Sequence, residues 1–171
     1  MNWDAALIEI LPAMRRYALF LSRNAHEADD IVNDCVVKVL SSKASFDQSR
    51  ALRPWVFQIM RNIFLDSRKS ASSSNHFPID DVVALADETA HLSQTASIEV
   101  RETLTALMKL PEDSKDVLIL VAIEGFSYKE AAVCLGVPIG TVMSRISRAR
   151  KQLVETLGHP PANLRQSGRM I

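Results

Sequence analysis

Apolar residues recur at spacings of three and four along most of the chain, a pattern that predicts amphipathic α-helices. Before residue 124, the pattern predicts helices over 4–22, 27–40, 54–69, 97–110 and 112–124. Pro12 lies inside the first of these ranges and predicts a kink or a restart there. The last range is rich in β-branched residues, which would suit a strand, but its helical surroundings favour a buried helix. The predicted fold class is therefore all-α.

The stretch 124–157 predicts two further helices joined by a tight turn. Ser127 and Glu130 have the spacing of a capping box at the start of the first helix. Gly136 stands where a helix end favours a residue that tolerates positive φ, and Pro138 can open a second helix but cannot extend the first. The second helix places its apolar residues on one face, namely Ile139, Val142, Ile146, Ala149 and Leu153.

The other face of this second helix is polar and basic, with Thr141, Ser144, Arg145, Arg148 and Lys151. A short helix, a glycine-containing turn and a helix with a basic face predict a helix-turn-helix that docks in a major groove. Spacing alone leaves an alternative open, because many two-helix corners bind nothing and a basic face is often only solvated. Small residues at Ala131, Ala132 and Gly140 favour DNA binding, since they let the two helices cross closely.

Two of the earlier predicted helices also have polar faces. The helix over 27–40 exposes Asp29, Asp30, Asn33 and Asp34 beside Val37. Acidic residues in a first turn can simply complement the helix dipole, an explanation that fits Asp34 less well than the first two. The helix over 54–69 exposes Arg61, Asn62, Asp66, Arg68 and Lys69. Trp55 lies in register with the apolar stripe of that helix, so we interpret it as a core residue rather than a platform for stacked bases.

The chain has 171 residues, of which 47% are hydrophobic, enough for one domain or two small ones. Lys+Arg and Asp+Glu both number 20, so the formal net charge is zero and any contact with DNA must come from local patches. After the third predicted helix, SASSSN is followed by an acidic stretch without Lys or Arg. We predict two small helical domains joined by a flexible acidic linker, with divisions at 1–69, 70–96 (the linker), 97–158 and 159–171 (a loose tail).

Cys35 and Cys134 each lie in an apolar helical stretch, which predicts buried free thiols and a reducing compartment. The four histidines are scattered, and neither a glycine-rich phosphate loop nor a metal-ligand spacing is present. We therefore predict no enzyme, no metal and no cofactor. The longest apolar run, 117–123, is shorter than the roughly 18 residues of a membrane span, and the first residues do not resemble a signal peptide. A cytoplasmic protein is expected.

Three blocks of the sequence resemble bacterial RNA polymerase sigma factors. They are AHEADDIVNDCVVKVL, LRPWVFQIMRNIFLDSRK and LPEDSKDVLILVAIEGFSYKEAAVCLGVPIGTVMSRISRARKQL, in the family's order and separation. Two domains without the longer family's middle domain resemble the extracytoplasmic-function group. The phrase ILVAIEGFSYKEAA is also similar to the general-stress sigma factors of alphaproteobacteria.

The resemblance implies a subunit that binds core RNA polymerase and directs promoter-specific transcription initiation at stress-response genes. The polar face with Asp29, Asp30, Asn33 and Asp34 would dock on the clamp helices of the β′ subunit, and the C-terminal domain on the β flap. The loop 46–53 and the polar face of the helix 54–69 would recognise the opened minus-ten element. The second helix of the helix-turn-helix would read the minus-thirty-five element, and an anti-sigma factor is a further implied partner.

Two other functions compete with this one. A stand-alone helix-turn-helix regulator would explain 127–152 but not the N-terminal half of the chain. A sigma-like decoy that captures a regulator would be favoured by a degraded minus-ten surface, but Arg61, Asn62, Asp66 and Lys69 are present.

Overall fold

The computed structural model describes residues 2–70 and 94–158, and every regular element in these two ranges is helical. The predicted all-α fold class is confirmed. Most of the predicted linker and the whole predicted tail lie outside the described residues. Within the two described ranges, no helix combines the length and the apolar character needed to cross a membrane.

The first three helices pack on one another as one unit. They are α1 (Trp3–Ser22), α2 (Ala25–Ser42) and α3 (Leu52–Ser70), with a 3-10 turn at Lys43–Ser45 after α2. The side chain of Asn2 caps α1 by accepting a hydrogen bond from the Ala5 N–H at 3.2 Å. The side chain of Asn24 caps α2 by accepting from the N–H groups of His26 and Glu27. These caps give first-turn N–H groups the acceptors that a helix itself does not provide.

The core of this unit forms from one apolar face of each helix. Tyr17 and Phe57 stack with their ring centroids 5.2 Å apart. The Cys35 thiol donates to the Val56 carbonyl at 3.5 Å, and burial raises the pKa of Cys35 to about 12. The thiol therefore stays protonated and unreactive at neutral pH, as a buried structural cysteine should. The fully buried side chains are those of Met14, Tyr17, Ala18, Ala28, Cys35, Val39, Val56, Phe57 and Met60.

α1 continues through Pro12 as one helix, so the alternative of a restart is wrong. Proline lacks an N–H and crowds the carbonyl four residues earlier, which here belongs to Ile8. Pro12 is exposed and Ile8 is 70% exposed, so this side of the helix faces solvent. The missing hydrogen bond therefore falls on the solvated face, where water can satisfy the carbonyl, and not in the core.

Four helices follow in the C-terminal half of the chain, and their residues outside 133–136 belong to a second unit. They are α4 (Gln94–Met108), α5 (Glu112–Leu118), α6 (Tyr128–Leu135) and α7 (Ile139–Leu157), and α5 continues into a π-helical turn at Ile119–Ile123. Both α4 and α5 pack against α7. The single helix predicted over 112–124 thus ends in a wider turn, and Gly125 follows with a φ of +71°.

α6 and α7 form the predicted helix-turn-helix. The Ser127 N–H donates to Glu130 Oε2 at 2.8 Å, and the Glu130 N–H donates to Ser127 Oγ at 3.3 Å, which is the reciprocal bonding of a capping box. Gly136 has a φ of +66°, a conformation that glycine adopts without steric penalty. The Val137 N–H donates to the Ala132 carbonyl at 3.1 Å and closes the turn.

Four of the five residues predicted on the inner face of α7 are buried, namely Val142, Ile146, Ala149 and Leu153. The fifth, Ile139, is 42% exposed, so its assignment to the core is wrong. Helical spacing does place Ile139 on the same side of α7. Burial also requires a packing partner opposite that turn, and periodicity along one helix does not specify partners.

Ser127→Ala tests the capping box. The substitution removes the hydroxyl that accepts from the Glu130 N–H, so we expect the free energy of unfolding to fall by about 1 kcal/mol. Urea denaturation followed by circular dichroism measures the loss. Ser147→Ala is the matched control, because Ser147 is exposed on α7. An unchanged unfolding midpoint for Ser127→Ala would show that the box does not stabilise the fold.

Candidate nucleic-acid interface

α7 presents one continuous exposed face. Because Val142, Ile146 and Ala149 are buried, residues on the opposite side of the helix point outwards. A major groove admits a single α-helix, so such a face can reach base edges. The exposed residues of α7 from position 140 to position 152 are Gly140, Met143, Ser144, Ser147, Arg148, Lys151 and Gln152.

Three of the five residues predicted to contact duplex DNA lie on this face, namely Ser144, Arg148 and Lys151. Their contacts within α7 are local. Arg148 Nε donates to the Ser144 carbonyl at 3.4 Å, and Lys151 Nζ lies 3.9 Å from Glu155 Oε1. Exposed pairs of this kind contribute little to stability, so both cations can turn towards DNA with a small loss.

The other two predicted residues, Thr141 and Arg145, are half-buried. Arg145 Nη2 donates to Asp113 Oδ2 at 2.7 Å, and Asp113 lies in the first turn of α5. The Arg145 side chain is 17% exposed and that of Asp113 is 63% exposed. The two residues are 32 positions apart in the chain, so the spacing along α7 could not predict this ion pair.

One exposed residue of this face, Met143, is apolar and was not among the residues predicted to contact DNA. Met143 is 50% exposed and lies one turn after Ile139, which is 42% exposed on the side of the buried stripe. A signal for Met143 was available, because it falls outside the apolar stripe of α7. Exposed apolar side chains on a helix in the major groove can contact the methyl group of thymine.

α3 carries the residues predicted to contact the minus-ten element. Asn62, Asp66 and Lys69 are exposed on one face, and Lys69 Nζ lies 3.1 Å from Asp66 Oδ1. Arg68 is also exposed, with its guanidinium 5.4 Å from the centroid of an aromatic ring on the same helix. Arg61 is half-buried. The structure therefore brings four of the five side chains to the surface and keeps Arg61 partly inside it.

An aromatic cluster backs the loop 46–51, which connects the 3-10 turn to α3. The Phe46 ring centroid is 4.6 Å from that of Trp55 on α3 and 5.4 Å from that of Trp3 on α1. Phe46 is 8% exposed and Trp55 is half-buried. Trp55 is thus a packing residue, in agreement with the prediction, although it is not fully buried.

Asp47 organises the loop itself. Its carboxylate accepts hydrogen bonds from Ser49 Oγ at 2.7 Å and from the Ser49 N–H at 3.0 Å. These hydrogen bonds, with a smaller contribution from the charge of Arg50, lower the pKa of Asp47. The carboxylate is therefore ionised at neutral pH, and the charged form of this turn is lost only as the pH falls through the lowered value.

The predicted polymerase-binding residues of α2 are all exposed, namely Asp29, Asp30, Asn33 and Asp34. Asp29 accepts from Arg15 Nε at 3.0 Å, and Asp30 lies 3.1 Å from a histidine one turn earlier. In the part of the chain that the structure describes, the Asp34 side chain has no hydrogen bond or ion pair. Val37, one turn further along, is 67% exposed. Asp34 and Val37 are the part of this face most accessible to another molecule.

Comparison with known proteins assigns both units to one family. Residues 7–61 match the model described as the Sigma2 domain of PhyR, and residues 101–153 match the model described as Sigma-70, region 4. The chain is 36% identical over 149 residues to the ECF RNA polymerase sigma factor EcfG of Rhodopseudomonas palustris, covering 86% of this chain and 80% of that one. It is 32% identical over 146 residues to the sigma factor SigM of Mycobacterium tuberculosis, covering 85% of this chain and 72% of the relative.

Among solved structures, the fold is similar to that of the sigma factor RpoE from Bartonella quintana, which was solved in complex with the anti-sigma factor NepR. The TM-score is 0.72 at 32% sequence identity, and the match covers 92% of this chain and 97% of that one. Both family matches and both relatives are those of sigma factors, a class of transcription-initiation factors that are not enzymes. The chain belongs to the ECF RNA polymerase sigma factors.

Phe46→Ala tests the aromatic cluster behind the loop. Removing a ring that is 8% exposed leaves a cavity, so we expect the free energy of unfolding to fall by about 3 kcal/mol. The chain has two tryptophans, Trp3 and Trp55, and both contact Phe46, so tryptophan fluorescence reports on this cluster alone. The emission maximum should move to longer wavelength. Phe46→Leu keeps most of the apolar volume and should lose less than half as much. A wild-type spectrum and midpoint for Phe46→Ala would contradict a packing role.

Proposed function

We propose that this sigma factor binds core RNA polymerase through α2 and contacts the two promoter elements through α3 and α7. The observation that carries the proposal is the exposed face of α7, which a buried apolar stripe turns outwards and which bears Ser144, Arg148 and Lys151. The division of labour follows the predicted domains, with polymerase and minus-ten contacts in 1–69 and minus-thirty-five contacts in 97–158.

The polymerase-binding surface centres on Asp34 and Val37. The Asp34 carboxylate has no partner among the described side chains and lies beside exposed Val37, so this surface offers a partner both charge complementarity and apolar burial. Asp29, Asp30 and Asn33 extend this surface along α2. Sigma factors of this kind are expected to place such a face on the clamp helices of the β′ subunit and their C-terminal domain on the β flap.

The minus-ten element is bound as opened single strand by α3 and the loop 46–51. Arg68 and Lys69 supply positive charge for phosphates, while Asn62 and Asp66 can hydrogen-bond to the pairing edges of unstacked bases. Arg61, which is half-buried, supports this face from the side. The loop has the aromatic cluster behind it and the Asp47 turn within it, so it can hold one shape when a base arrives.

The minus-thirty-five element is read as duplex by α7. Arg148 is fully on the exposed face and has the bidentate donor geometry that suits guanine. Ser144 and Thr141 lie one and two turns before it, and Met143 can contact a thymine methyl group. Lys151 neutralises phosphate, and Arg145 contributes a second cation from the edge of the face.

We also propose that an anti-sigma factor regulates this chain, that it acts in the cytoplasm and that it serves a stress response. Support comes from the similarity to RpoE, whose structure contains NepR, and to EcfG. A regulator that covers the faces around Asp34 and Arg145 would block polymerase and promoter binding together.

Run-off transcription with core RNA polymerase tests the proposed function. The wild-type chain should produce a transcript from a cognate promoter that core polymerase alone does not produce. Asp34→Lys reverses the charge at the centre of the docking surface, so we expect core binding to weaken about tenfold, or ~1.4 kcal/mol. Titration of labelled sigma factor with core polymerase measures the affinity, and circular dichroism checks the fold.

Glu9→Lys is the matched control, since it reverses an exposed charge on α1 outside the proposed surface. It should bind as wild type does. A folded Asp34→Lys variant with wild-type affinity would refute the docking surface. A chain that bound an anti-sigma factor but gave no transcript would be a sigma-like decoy.

Arg148→Ala and Lys151→Ala separate base reading from phosphate binding on α7. Arg148→Ala should lower discrimination between the promoter duplex and a base-substituted duplex by about 1–3 kcal/mol, because a bidentate base contact is lost. Lys151→Ala should weaken binding to both duplexes alike and reduce the slope of log K against log salt by about 0.9. Anisotropy titrations of both duplexes at several salt concentrations measure these quantities.

Thr156→Ala, a change in the last turn of α7, is the control and should leave both affinities unchanged. Equal losses on the two duplexes for Arg148→Ala would assign that residue to phosphate instead of base. Unchanged binding for both arginine and lysine variants would remove α7 from the DNA interface.

A further inference from the structure

Arg145 differs from the other proposed DNA-contacting residues because its guanidinium forms an ion pair with a residue of another helix. Its Nη2 donates to Asp113 Oδ2 at 2.7 Å, across from α7 to α5. Among the described side chains, no other member of the proposed minus-thirty-five set has an ion pair to another helix. Lys151 lies 3.9 Å from a glutamate of its own helix. The Arg145 charge is therefore neutralised by the second unit's own fold before DNA arrives.

The exposure of the two partners shows that the pair is open to competition. The Asp113 side chain is 63% exposed and that of Arg145 is 17% exposed. Water reaches the carboxylate, so the ion pair is screened on the Asp113 side and is not fully buried. An incoming phosphate or guanine offers the guanidinium the same kind of acceptor, because Arg binds carboxylate and phosphate with one donor geometry. An exposed carboxylate at this place also repels the phosphate backbone.

We propose that Asp113 limits the affinity of α7 for duplex DNA by competing with the DNA for the Arg145 guanidinium. The proposal rests on the proposed duplex recognition by α7. In the free protein the pair holds Arg145 against α5. In the bound state the guanidinium exchanges a carboxylate for a DNA acceptor, and Asp113 is returned to solvent. Asp113 is thus a residue that sets duplex affinity without touching DNA.

Asp113→Asn in the full chain tests this competition. Removing the charge frees Arg145, so the affinity for a minus-thirty-five duplex should rise about twofold to fivefold, the range for release of one partly exposed ion pair. Asp113→Glu keeps a carboxylate near the guanidinium and should return the affinity towards that of the wild type.

A double-mutant cycle shows whether the effect passes through Arg145. In an Arg145→Ala background, Asp113→Asn should raise the affinity by no more than Glu102→Gln does. Glu102→Gln removes one exposed negative charge on α4 and measures the general effect of net charge. An unchanged or weaker affinity for Asp113→Asn would overturn the proposal, and so would an equal gain with and without Arg145.

Arg148→Ala in the same titration distinguishes a failure of the proposed role of Asp113 from a failure of duplex recognition by α7. Weaker binding by Arg148→Ala, together with wild-type binding by Asp113→Asn, overturns the role of Asp113 alone. Wild-type binding by Arg148→Ala and Lys151→Ala overturns duplex recognition by α7, and the role of Asp113 with it.

Discussion

The packing of α7 against α4 and α5 determines what the second unit can present to another molecule. Val142, Ile146, Ala149 and Leu153 form one buried stripe, each at most 2% exposed. With that stripe fixed, the rotation of α7 about its axis is fixed too, since residues at other phases of the helix must point away. A polar residue added to the stripe would both destabilise the unit and rotate or displace the exposed face. Stability and recognition in this unit therefore depend on the same four side chains.

The exposed faces of α3 and α7 both carry cations whose charge is partly neutralised by nearby carboxylates. The chain has equal numbers of acidic and basic residues, and some of the cations on α3 and α7 lie close to carboxylates. Lys69 is 3.1 Å from Asp66, and Arg145 is 2.7 Å from Asp113. On binding, nucleic acid would replace the carboxylates that these cations already contact. Each such cation therefore contributes less binding free energy than an unpaired cation would. Affinity must then come from several contacts made together, which favours recognition of a complete site over adhesion to any polyanion.

Features whose cause lies within one or two helical turns could be predicted from the sequence. The capping box of Ser127 and Glu130, the positive φ of Gly136 and the buried stripe of α7 all depend on near neighbours, and the structure confirms them. The predicted burial of Ile139 is wrong, because burial requires a packing partner opposite that turn. The pairing of Arg145 with Asp113 was also beyond the sequence, since packing brings together residues from different helices.

The loop 46–51 shows why a recognition surface without regular backbone hydrogen bonding needs support from elsewhere. A loop of this kind loses much conformational entropy when it becomes ordered. A helix loses less, because its backbone hydrogen bonds already hold it in one conformation. Two devices offset that loss here. Asp47 closes a turn on Ser49, and Phe46 anchors the start of the loop against Trp3 and Trp55. Because Trp3 is the first residue of α1, the beginning of the chain contributes directly to the shape of a loop that precedes α3. The loop is consequently a tertiary element, and the apolar ring at its base matters as much to its shape as the polar residues along it.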